Sequence, residues 1–214
     1  MTEKTLLAVI ALCLTVLLTP RPQAQDLPQL GTSPVKDVVA AMTLEEEARL
    51  VIGYLPALRK VDRRTMDFSV LDFDYPGLGF AIGKVDRLGI PATIVSDGSY
   101  GLKKYIKNPD GKWGTTAFQV PILVSSSWDT ELANTVATAY GNEGKEYGVD
   151  ALLGPAMNIQ RDPLLGRNFE YYSEDPLLSG KMAAATVRGI QSNNVGAVIK
   201  HFAVNNQETN RIAN

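Results

Sequence analysis

The chain has 214 residues, of which 45% are hydrophobic and 21% are charged, and its formal net charge is -2. This balance is typical of a globular protein and excludes a chain that is disordered as a whole, which would combine low hydrophobicity with high net charge. The lack of a basic excess also argues against a nucleic-acid partner. We therefore expect a globular enzyme or a binding domain.

The amino-terminal end differs in composition from the rest of the chain. An uninterrupted apolar block covers residues 6–18, and Pro20 and Pro22 follow it. The block is shorter than the roughly 20 residues of a membrane-spanning helix and is typical of a secretory signal. We interpret residues 1–25 as a signal peptide and residues 26–214 as the mature part of a secreted or periplasmic protein, with membrane contact only during export. Since Cys13 is the only cysteine, the mature part would contain no disulfide and no thiolate metal site.

Capping residues predict where three helices begin. Thr43 and Glu46 form a capping box, and Gly53 is the expected end of that helix. Asp129 is the expected cap of a second helix, and Asp175 with Pro176 opens a third. The helical period predicts that the inner faces carry Leu44, Ala48 and Val51 in the first helix, Leu132, Val136 and Tyr140 in the second, and Leu178, Met182, Ala185 and Ile190 in the third.

Short apolar runs between these helices predict strands at residues 92–96, 121–125, 151–159 and 195–199. Strands that alternate with helices form parallel βαβ units, so the predicted fold class is α/β, with a parallel sheet and crossover helices. Residues 65–84 contain several glycines without the spacing of a dinucleotide-binding loop, and we interpret them as barrel entry and loop.

Polar side chains follow three of the predicted strands. Asp97 follows the first run, Arg167 lies in a long polar loop after the third, and Lys200 and His201 follow the fourth. Loops at the carboxyl ends of parallel strands gather at one edge of a sheet, where charged groups can bind a polyhydroxylated ligand. Each residue also has a structural interpretation: Asp97 as a turn residue, Arg167 as the ion-pair partner of a nearby carboxylate, and His201 as a scaffold residue.

Several segments of the chain, taken in order, share a pattern with one enzyme family. They are Met42-Thr43-Leu44-Glu45-Glu46, Ser96-Asp97-Gly98, Asp162-Pro163-Leu164-Leu165-Gly166-Arg167-Asn168-Phe169-Glu170, Ser173-Glu174-Asp175-Pro176 and Lys200-His201-Phe202. Together they resemble the amino-terminal domain of glycoside hydrolase family 3, of the β-glucosidase type. The resemblance implies a (β/α)8 TIM-like barrel. A complete barrel needs about 250 residues, so residues 26–214 would hold an incomplete barrel, without its remainder and the second domain.

The resemblance also implies a chemistry. Family members of this type are exo-acting retaining β-glycosidases that release terminal non-reducing β-D-glucosyl residues from a β-linked oligosaccharide or glucoside. Asp97, Arg167, Lys200 and His201 would bind the hydroxyls of the terminal sugar. The nucleophilic aspartate and the acid/base glutamate are expected beyond Asn214, so no catalytic residue is assigned within the chain. No metal and no organic cofactor are expected, and the oligomeric state is left open.

The chain departs from the family pattern next to Asp97. Family members usually have a proline after the aspartate-glycine pair and an arginine a few positions later, whereas this chain has Ser99 and Lys103. An ammonium lacks the forked geometry of a guanidinium, so this wall of the sugar site is expected to differ, and the preferred sugar stays open. Two other interpretations also stay open: a Schiff-base lyase with Lys200 as nucleophile, and a non-catalytic truncated secreted fragment with unpaired strand edges.

Overall fold

The computed structural model describes residues 27–51, 53–54, 79–102, 114–202 and 204–211. The interpreted signal peptide and Lys103 lie outside these residues. The chain divides into two compact units, one of Met1–Met42 with Asp86–Ile90 and one of Thr43–Val85 with Pro91–Asn214. Within the described residues, no helix has the length and apolar composition that a membrane span requires.

The smaller unit consists of a short helix, α1 (Val35–Ala40), and a 3₁₀ turn (Asp86–Leu88). Hydrogen bonds join its parts: the Leu30 amide donates to the Leu88 carbonyl over 2.8 Å, the Gln29 side-chain amide donates to the Arg87 carbonyl over 2.9 Å, and the Arg87 guanidinium donates to the Ala41 carbonyl over 2.7 Å. The Leu88 side chain is fully buried. These contacts tie two segments that are distant in sequence into one unit.

The larger unit contains a five-stranded sheet in the order β1-β2-β3-β4-β5. The strands are β1 (Gly53–Tyr54), β2 (Gly79–Ile82), β3 (Thr93–Asp97), β4 (Ala151–Leu153) and β5 (Gly196–Ala197). The pairs β3–β4 and β4–β5 are parallel, as predicted, whereas β1–β2 and β2–β3 are antiparallel. The α/β class is confirmed.

The expectation of an all-parallel sheet is wrong at its first two strands. Strand β2 lies within the segment 65–84 that was interpreted as barrel entry and loop. Residues 83–92, which join β2 to β3, are fewer than the dozen or more that a parallel crossover needs, so the chain can only turn back on itself. Residues 65–78 lie outside the described part of the chain.

The described residues of the larger unit include four helices: α2 (Leu44–Val51), α3 (Pro121–Ser125), α4 (Thr130–Glu146) and α5 (Pro176–Gln191). All three predicted caps are confirmed. Thr43 and Glu46 exchange the two bonds of a capping box, over 2.9 and 3.3 Å. The carboxylate of Asp129 accepts two amides of α4 over 2.8 and 3.0 Å, and that of Asp175 accepts one amide of α5 over 2.8 Å.

The segment predicted as a strand at residues 121–125 is instead helix α3. A short apolar run does not distinguish a buried strand from a buried helical turn. Pro121 occupies the first turn, where its fixed φ suits a helix and its missing N–H is not needed. The Ser125 hydroxyl donates to the carbonyls of Ile122 and Tyr172, which ties the short helix to the segment before α5.

Helices α4 and α5 pack closely along small residues. The buried face of α4 carries Ala133, Ala137 and Tyr140, whereas the predicted Leu132 is 44% exposed. A Cβ added at Gly189 of α5 would lie 2.5 Å from a carbonyl oxygen of α4, so the two backbones are in near contact. The prediction of the α4 face is confirmed for Tyr140 and wrong for Leu132, because the closest approach of the helices selects small side chains such as Ala133 and Ala137 rather than large ones.

The inner face predicted for α5 is confirmed by buried Met182, Ala185 and Ile190, with Leu178 packed against the same cluster. The inner face predicted for α2 is not confirmed, because Leu44 and Val51 are exposed. A hydrophobic period identifies the apolar face of a helix, but it does not show whether another element packs against that face.

The core under the sheet joins its strands to its helices. Leu152 of β4 and Ile190 of α5 are both fully buried and belong to one cluster with Tyr140 of α4 and Val195 before β5. Burial of a single leucine side chain contributes roughly 1.5–3 kcal/mol to the stability of the fold. The core therefore holds β4 and β5 against the helices, and the parallel pairing of β3 with β4 brings the end of β3 to the same edge of the sheet.

Candidate functional site

Two of the predicted site residues meet at the carboxyl ends of neighbouring segments. Asp97 is the last residue of β3, and Lys200 forms an isolated parallel bridge with Ala156, beyond the end of β4. The bridge is built by Lys200 N–H donating to the Pro155 carbonyl over 3.1 Å and by Met157 N–H donating to the Lys200 carbonyl over 2.9 Å. The Lys200 ammonium consequently lies 2.7 Å from a carboxylate oxygen of Asp97.

Arg167 faces the same space. A pocket of about 540 Å³ opens at this edge of the sheet. Its lining includes the charged residues Asp97, Arg167, Glu170 and Lys200, together with Ser99, Tyr100 and Phe169. Three of the four predicted site residues therefore share one pocket, although they are separated by up to 103 positions in sequence.

Arg167 is held by Glu170, which is only 6% exposed. Arg167 directly precedes the 3₁₀ turn Asn168–Glu170, whose last residue is Glu170, and the Arg167 Nε donates to a Glu170 oxygen in an ion pair. Burial by itself would raise the pKa of Glu170, but the hydrogen bonds from Arg167 and Ser99 and the charges of Arg167 and Lys200 outweigh burial and keep that pKa below its usual value. Glu170 is thus a fixed anion that orients the guanidinium.

The second oxygen of Glu170 is bound by Ser99. The Ser99 hydroxyl donates to it over 2.6 Å and joins the loop after β3 to the turn that carries Arg167. From the sequence, Ser99 was noted only as a departure from the family pattern, and nothing in its local spacing pointed to Glu170, 71 positions away. Its contact follows from the convergence of strand ends rather than from any short motif.

His201 is in contact with Arg167 rather than with the pocket. Of the described residues, it is not among those that line the pocket of about 540 Å³; with Lys200 it lines a neighbouring pocket of about 360 Å³. The Arg167 Nη2 lies 2.8 Å from Nε2 of His201, and Tyr171 Oη lies 3.3 Å from Nδ1. The His201 amide donates to the Asn158 side-chain oxygen over 2.8 Å.

These contacts assign the imidazole tautomer. A guanidinium has only donors, so Nε2 of His201 must accept, and the ring hydrogen must lie on Nδ1, where it donates to Tyr171. Burial and the charges of Arg167 and Lys200 lower the pKa of His201, in agreement with a neutral ring. His201 therefore acts as an acceptor that holds a second nitrogen of the Arg167 guanidinium, beside the one that Glu170 holds.

A third layer supports the histidine. The Tyr171 hydroxyl accepts from the Asn205 amide over 3.1 Å, and the same amide donates to Glu208 over 2.6 Å. Glu208 in turn lies 3.5 Å from Nη1 of Arg167. The hydrogen bond from Asn205 and that from Arg211 keep the pKa of Glu208 below its usual value. Tyr171, Asn205 and Glu208 complete a ring of bonds that includes His201 and the Arg167 guanidinium.

The pocket also has an aromatic wall. The rings of Tyr100 and Phe169 meet edge to face, with centroids 5.8 Å apart, and both residues line the pocket. Their positions follow directly from the polar pair beside them, since Tyr100 succeeds Ser99 and Phe169 precedes Glu170. One side of the pocket is therefore apolar, while the other carries fixed charges.

The arrangement is suited to a neutral polyhydroxylated ligand. Ion pairing uses one donor of the Lys200 ammonium out of three, and a carboxylate such as Asp97 offers about four acceptor sites, so paired groups keep capacity for hydroxyls. Within the described residues, no group of three or more histidine, cysteine, aspartate or glutamate side chains is arranged to hold a metal ion.

Comparison with known proteins agrees with this geometry. The profile of the Glycosyl hydrolase family 3 N terminal domain matches residues 81–210. Thermostable beta-glucosidase B of Acetivibrio thermocellus is 40% identical over 183 residues, which cover 83% of this chain and 21% of that protein. An exo-alpha-(1->6)-L-arabinopyranosidase of Bifidobacterium longum is 43% identical over 134 residues, which cover 60% of this chain and 18% of that protein. This chain spans about a fifth of the length of these relatives.

Solved structures resemble the chain as well. Beta-glucosidase 3B from Thermotoga neapolitana, in complex with alpha-D-glucose, superposes with a TM-score of 0.71 and 46% identity, covering 82% of this chain and 24% of that one. DesR, a beta-glucosidase from Streptomyces venezuelae in complex with D-glucose, superposes with a TM-score of 0.66 and 34% identity, covering 84% of this chain and 20% of that one. The similarity extends over most of the described sheet and helices.

Proposed function

The chain belongs to glycosyl hydrolase family 3, as a part of its N-terminal domain, and from this premise we propose that the whole protein is an exo-acting retaining β-glycosidase. Its expected substrate is a β-linked oligosaccharide or glucoside, from which it releases the terminal non-reducing β-D-glucosyl residue. The names of the relatives, most of them beta-glucosidases, and the glucose bound in two similar structures support glucose as the sugar.

The observation that carries the proposal is the shared pocket of Asp97, Arg167 and Lys200. A carboxylate accepts hydroxyl hydrogens, whereas an ammonium and a guanidinium donate to hydroxyl oxygens, so the set can recognise a sugar by its pattern of hydroxyls. We propose that these three residues bind the sugar directly. For His201 we propose substrate binding through Arg167, because both of its ring nitrogens are engaged by protein groups.

Retaining hydrolysis needs two further carboxyl groups, a nucleophile and an acid/base, about 5–5.5 Å apart. Asp97 and Glu170 are each held in an ion pair that supports a binding or positioning role. We therefore propose that the nucleophilic aspartate and the acid/base glutamate lie outside residues 1–214. We also propose that the mixed sheet is part of a (β/α)8-like barrel and that residues 1–25 direct export.

The Schiff-base alternative is disfavoured by the contact between Lys200 and Asp97. A lysine attacks a carbonyl only as the free amine, and an ammonium paired with a carboxylate at 2.7 Å has its lone pair occupied by a proton. Borohydride treatment in the presence of a keto substrate should therefore leave Lys200 unmodified. A covalent adduct on Lys200, detected by peptide mass spectrometry, would contradict the glycosidase proposal.

The main experiment measures hydrolysis by the full-length gene product. We expect the protein to release nitrophenol from nitrophenyl β-D-glucoside and to release at most a little from nitrophenyl α-D-glucoside. Proton NMR of the first product should show β-glucose, because a retaining enzyme preserves the anomeric configuration.

An aryl α-L-arabinopyranoside is included, since a 43% identical relative is named for that sugar. Faster hydrolysis of the arabinoside would replace glucose as the proposed sugar. Release of α-glucose from the β-glucoside would refute the retaining mechanism, and inactivity on every glycoside would refute the proposed function itself.

A further inference from the structure

The loop after β3 determines where Asp97 lies in the pocket. Asp97 is the last residue of β3, and Gly98, Ser99, Tyr100 and Gly101 continue the pocket lining directly after it. The loop turns tightly, since Gly98 has a φ of 152° and a Cβ added there would overlap the Gly101 carbonyl oxygen. Only glycine adopts such a turn without strain. The position of Asp97 therefore depends on the groups that hold this loop.

A tyrosine of α4 binds the loop next to Asp97. The Tyr140 hydroxyl donates to the Gly98 carbonyl over 2.8 Å. Tyr140 is 5% exposed and belongs to the core cluster under the sheet, and the centroids of its ring and the Phe118 ring are 5.5 Å apart. The hydrogen bond therefore attaches the peptide that follows Asp97 to the hydrophobic core.

The Tyr140 hydroxyl remains a donor. Burial, the charge of Asp97 and the charge of Glu143 all raise the pKa of Tyr140 far above its usual value. The phenol consequently stays protonated at any pH at which an enzyme works. A protonated phenol donates to a carbonyl oxygen, whereas a phenolate only accepts.

The same face of α4 holds a second stretch of the pocket wall. The Glu143 carboxylate accepts from the amide of Thr116, which lines the pocket, over 2.8 Å. The Tyr147 hydroxyl donates to the Gly114 carbonyl over 2.5 Å. Tyr140, Glu143 and Tyr147 are three and four positions apart, so they lie on one face of the helix. Helix α4 therefore holds the pocket wall at several points, and Tyr140 provides the one beside Asp97.

We propose that Tyr140 is a positioning residue for sugar recognition, and that its hydrogen bond to the Gly98 carbonyl sets the position of the Asp97 carboxylate in the pocket. The proposal rests on the proposed β-glycosidase function. Tyr140 is not among the described residues that line the pocket, so its effect passes through Asp97. Lys200 holds the carboxylate itself at 2.7 Å, and Tyr140 holds the peptide that carries it.

The test replaces Tyr140 by phenylalanine in the full-length gene product, with nitrophenyl β-D-glucoside as substrate and free glucose as inhibitor. Phenylalanine keeps the ring that packs against Phe118 and removes only the donor. We expect the KM and the inhibition constant of glucose to rise by roughly threefold to tenfold, the effect of one hydrogen bond. A variant that is merely less stable contains less folded enzyme, so its apparent kcat falls while both constants stay the same.

Tyr172→Phe is the matched control. Tyr172 is 4% exposed, and its hydroxyl lies 2.8 Å from the Thr186 hydroxyl. It is not among the described residues that line the pocket. This variant also loses one buried hydroxyl, so its urea midpoint should fall about as much as that of Tyr140→Phe. Its KM and its inhibition constant for glucose should change by less than about twofold.

A double-mutant cycle with Asp97→Asn tests whether the effect passes through Asp97. Asparagine keeps the size of the side chain and removes its charge. In the Asp97→Asn background, Tyr140→Phe should change kcat/KM by less than about twofold, because the group that it positions is already impaired. Two independent effects would multiply instead.

The outcomes separate the two proposals. Higher KM and inhibition constant in Tyr140→Phe, together with a lost effect in the Asp97→Asn background, support the positioning role. Unchanged constants, an equal change in Tyr172→Phe, or effects that multiply in the double variant overturn the role of Tyr140 and leave the proposed function standing. If the parent hydrolyses no glycoside, the proposed function is lost and the positioning role with it.

Discussion

The Ser99 hydroxyl provides a direct test of how the pocket orients Arg167. It donates to the Glu170 oxygen that Arg167 does not use, so each carboxylate oxygen of Glu170 has its own donor. Ser99→Ala removes one of the two donors and leaves every charged group in place. Glu170 then has greater freedom to rotate, and the guanidinium loses part of its fixed direction. We expect weaker binding of the sugar and lower kcat/KM.

The size of the effect follows from burial and charge. A hydrogen bond to a charged group contributes about 1.5–3 kcal/mol, and Glu170 is only 6% exposed, so water cannot readily replace the hydroxyl. The Arg167 side chain is 21% exposed and keeps its bond to the other oxygen, which places the effect at the lower end, about 1.5 kcal/mol. This corresponds to roughly a tenfold decrease in kcat/KM.

The same substitution should change the pH dependence. Glu170 has a pKa lowered in the fold, so its carboxylate contributes stability that is present above its unfolded pKa and is lost as pH falls through the folded one. Without Ser99 the folded pKa rises toward the ordinary value. The acid limb of the kcat/KM profile should therefore move to higher pH in the Ser99→Ala variant.

The assay uses three substitutions in the full-length gene product with an aryl β-D-glucoside. Ser99→Thr retains the hydroxyl and should restore most of the activity, whereas Ser99→Ala should not. Ser126→Ala is the control, since the exposed Ser126 hydroxyl bonds only locally to the Ile122 carbonyl in the described structure. Equal kcat/KM and identical pH profiles for the parent and Ser99→Ala would refute the positioning role of Ser99.

Other consequences concern the charged pair, the histidine and the helix interface. Lys200→Ala should reduce kcat/KM for an aryl β-glucoside by about a hundredfold, because it leaves the Asp97 carboxylate without its ion-pair partner. His201 is the only histidine, and burial and nearby cations lower its pKa. Its contribution to stability is therefore full above about pH 6.5 and is lost as pH falls through the folded pKa. The urea midpoint of the parent should decrease over this pH range, whereas the His201→Gln variant should lack this part of the pH dependence. Gly189→Ala should destabilise the chain by about 1–3 kcal/mol in urea unfolding, whereas Gly180→Ala, on the same helix with open space around its Cα, should stabilise it by about 0.5–1 kcal/mol.

Helix starts were the most predictable part of the fold. Caps depend on side chains within three residues of the helix end, and the bonds of Thr43, Asp129 and Asp175 all lie within that distance. Strand direction was less predictable because it depends on connection length and on partners far away in sequence. The antiparallel pairing of β2 with β3 was missed for this reason: β2 was not predicted as a strand, so its direction could not be predicted either.

Helix α3 and the buried face of α4 show a second limit. The apolar run at residues 121–125 suits either a strand or a helical turn, and its outcome depends on the contact of Ser125 with Tyr172, 47 positions away. The face of α4 is decided by the near contact with Gly189 of α5, which favours alanine over leucine. Local periodicity carries no information about how closely two helices approach.

The convergence of Asp97, Arg167 and Lys200 could be predicted from their positions after strands. The loops that follow parallel strands meet at one edge of the sheet whatever their exact conformation. Ser99, Tyr171 and Asn205 were not foreseeable in the same way. Each contacts a residue at least 30 positions distant through a hydrogen bond, and such a bond depends on distances that a strand pattern does not determine.

The structural and the functional interpretations of Arg167 turn out to be compatible. An arginine inside a partly buried pocket requires a counter-charge, since an unpaired buried cation is strongly unfavourable. Glu170 meets this requirement and at the same time sets the direction of the guanidinium, and His201 holds a second guanidinium nitrogen with a neutral acceptor. The ion pair that makes Arg167 part of the scaffold therefore also fixes the guanidinium in place at the edge of the pocket. An arginine with a structural partner at a strand end is, on this argument, better prepared for recognition than an unpaired one.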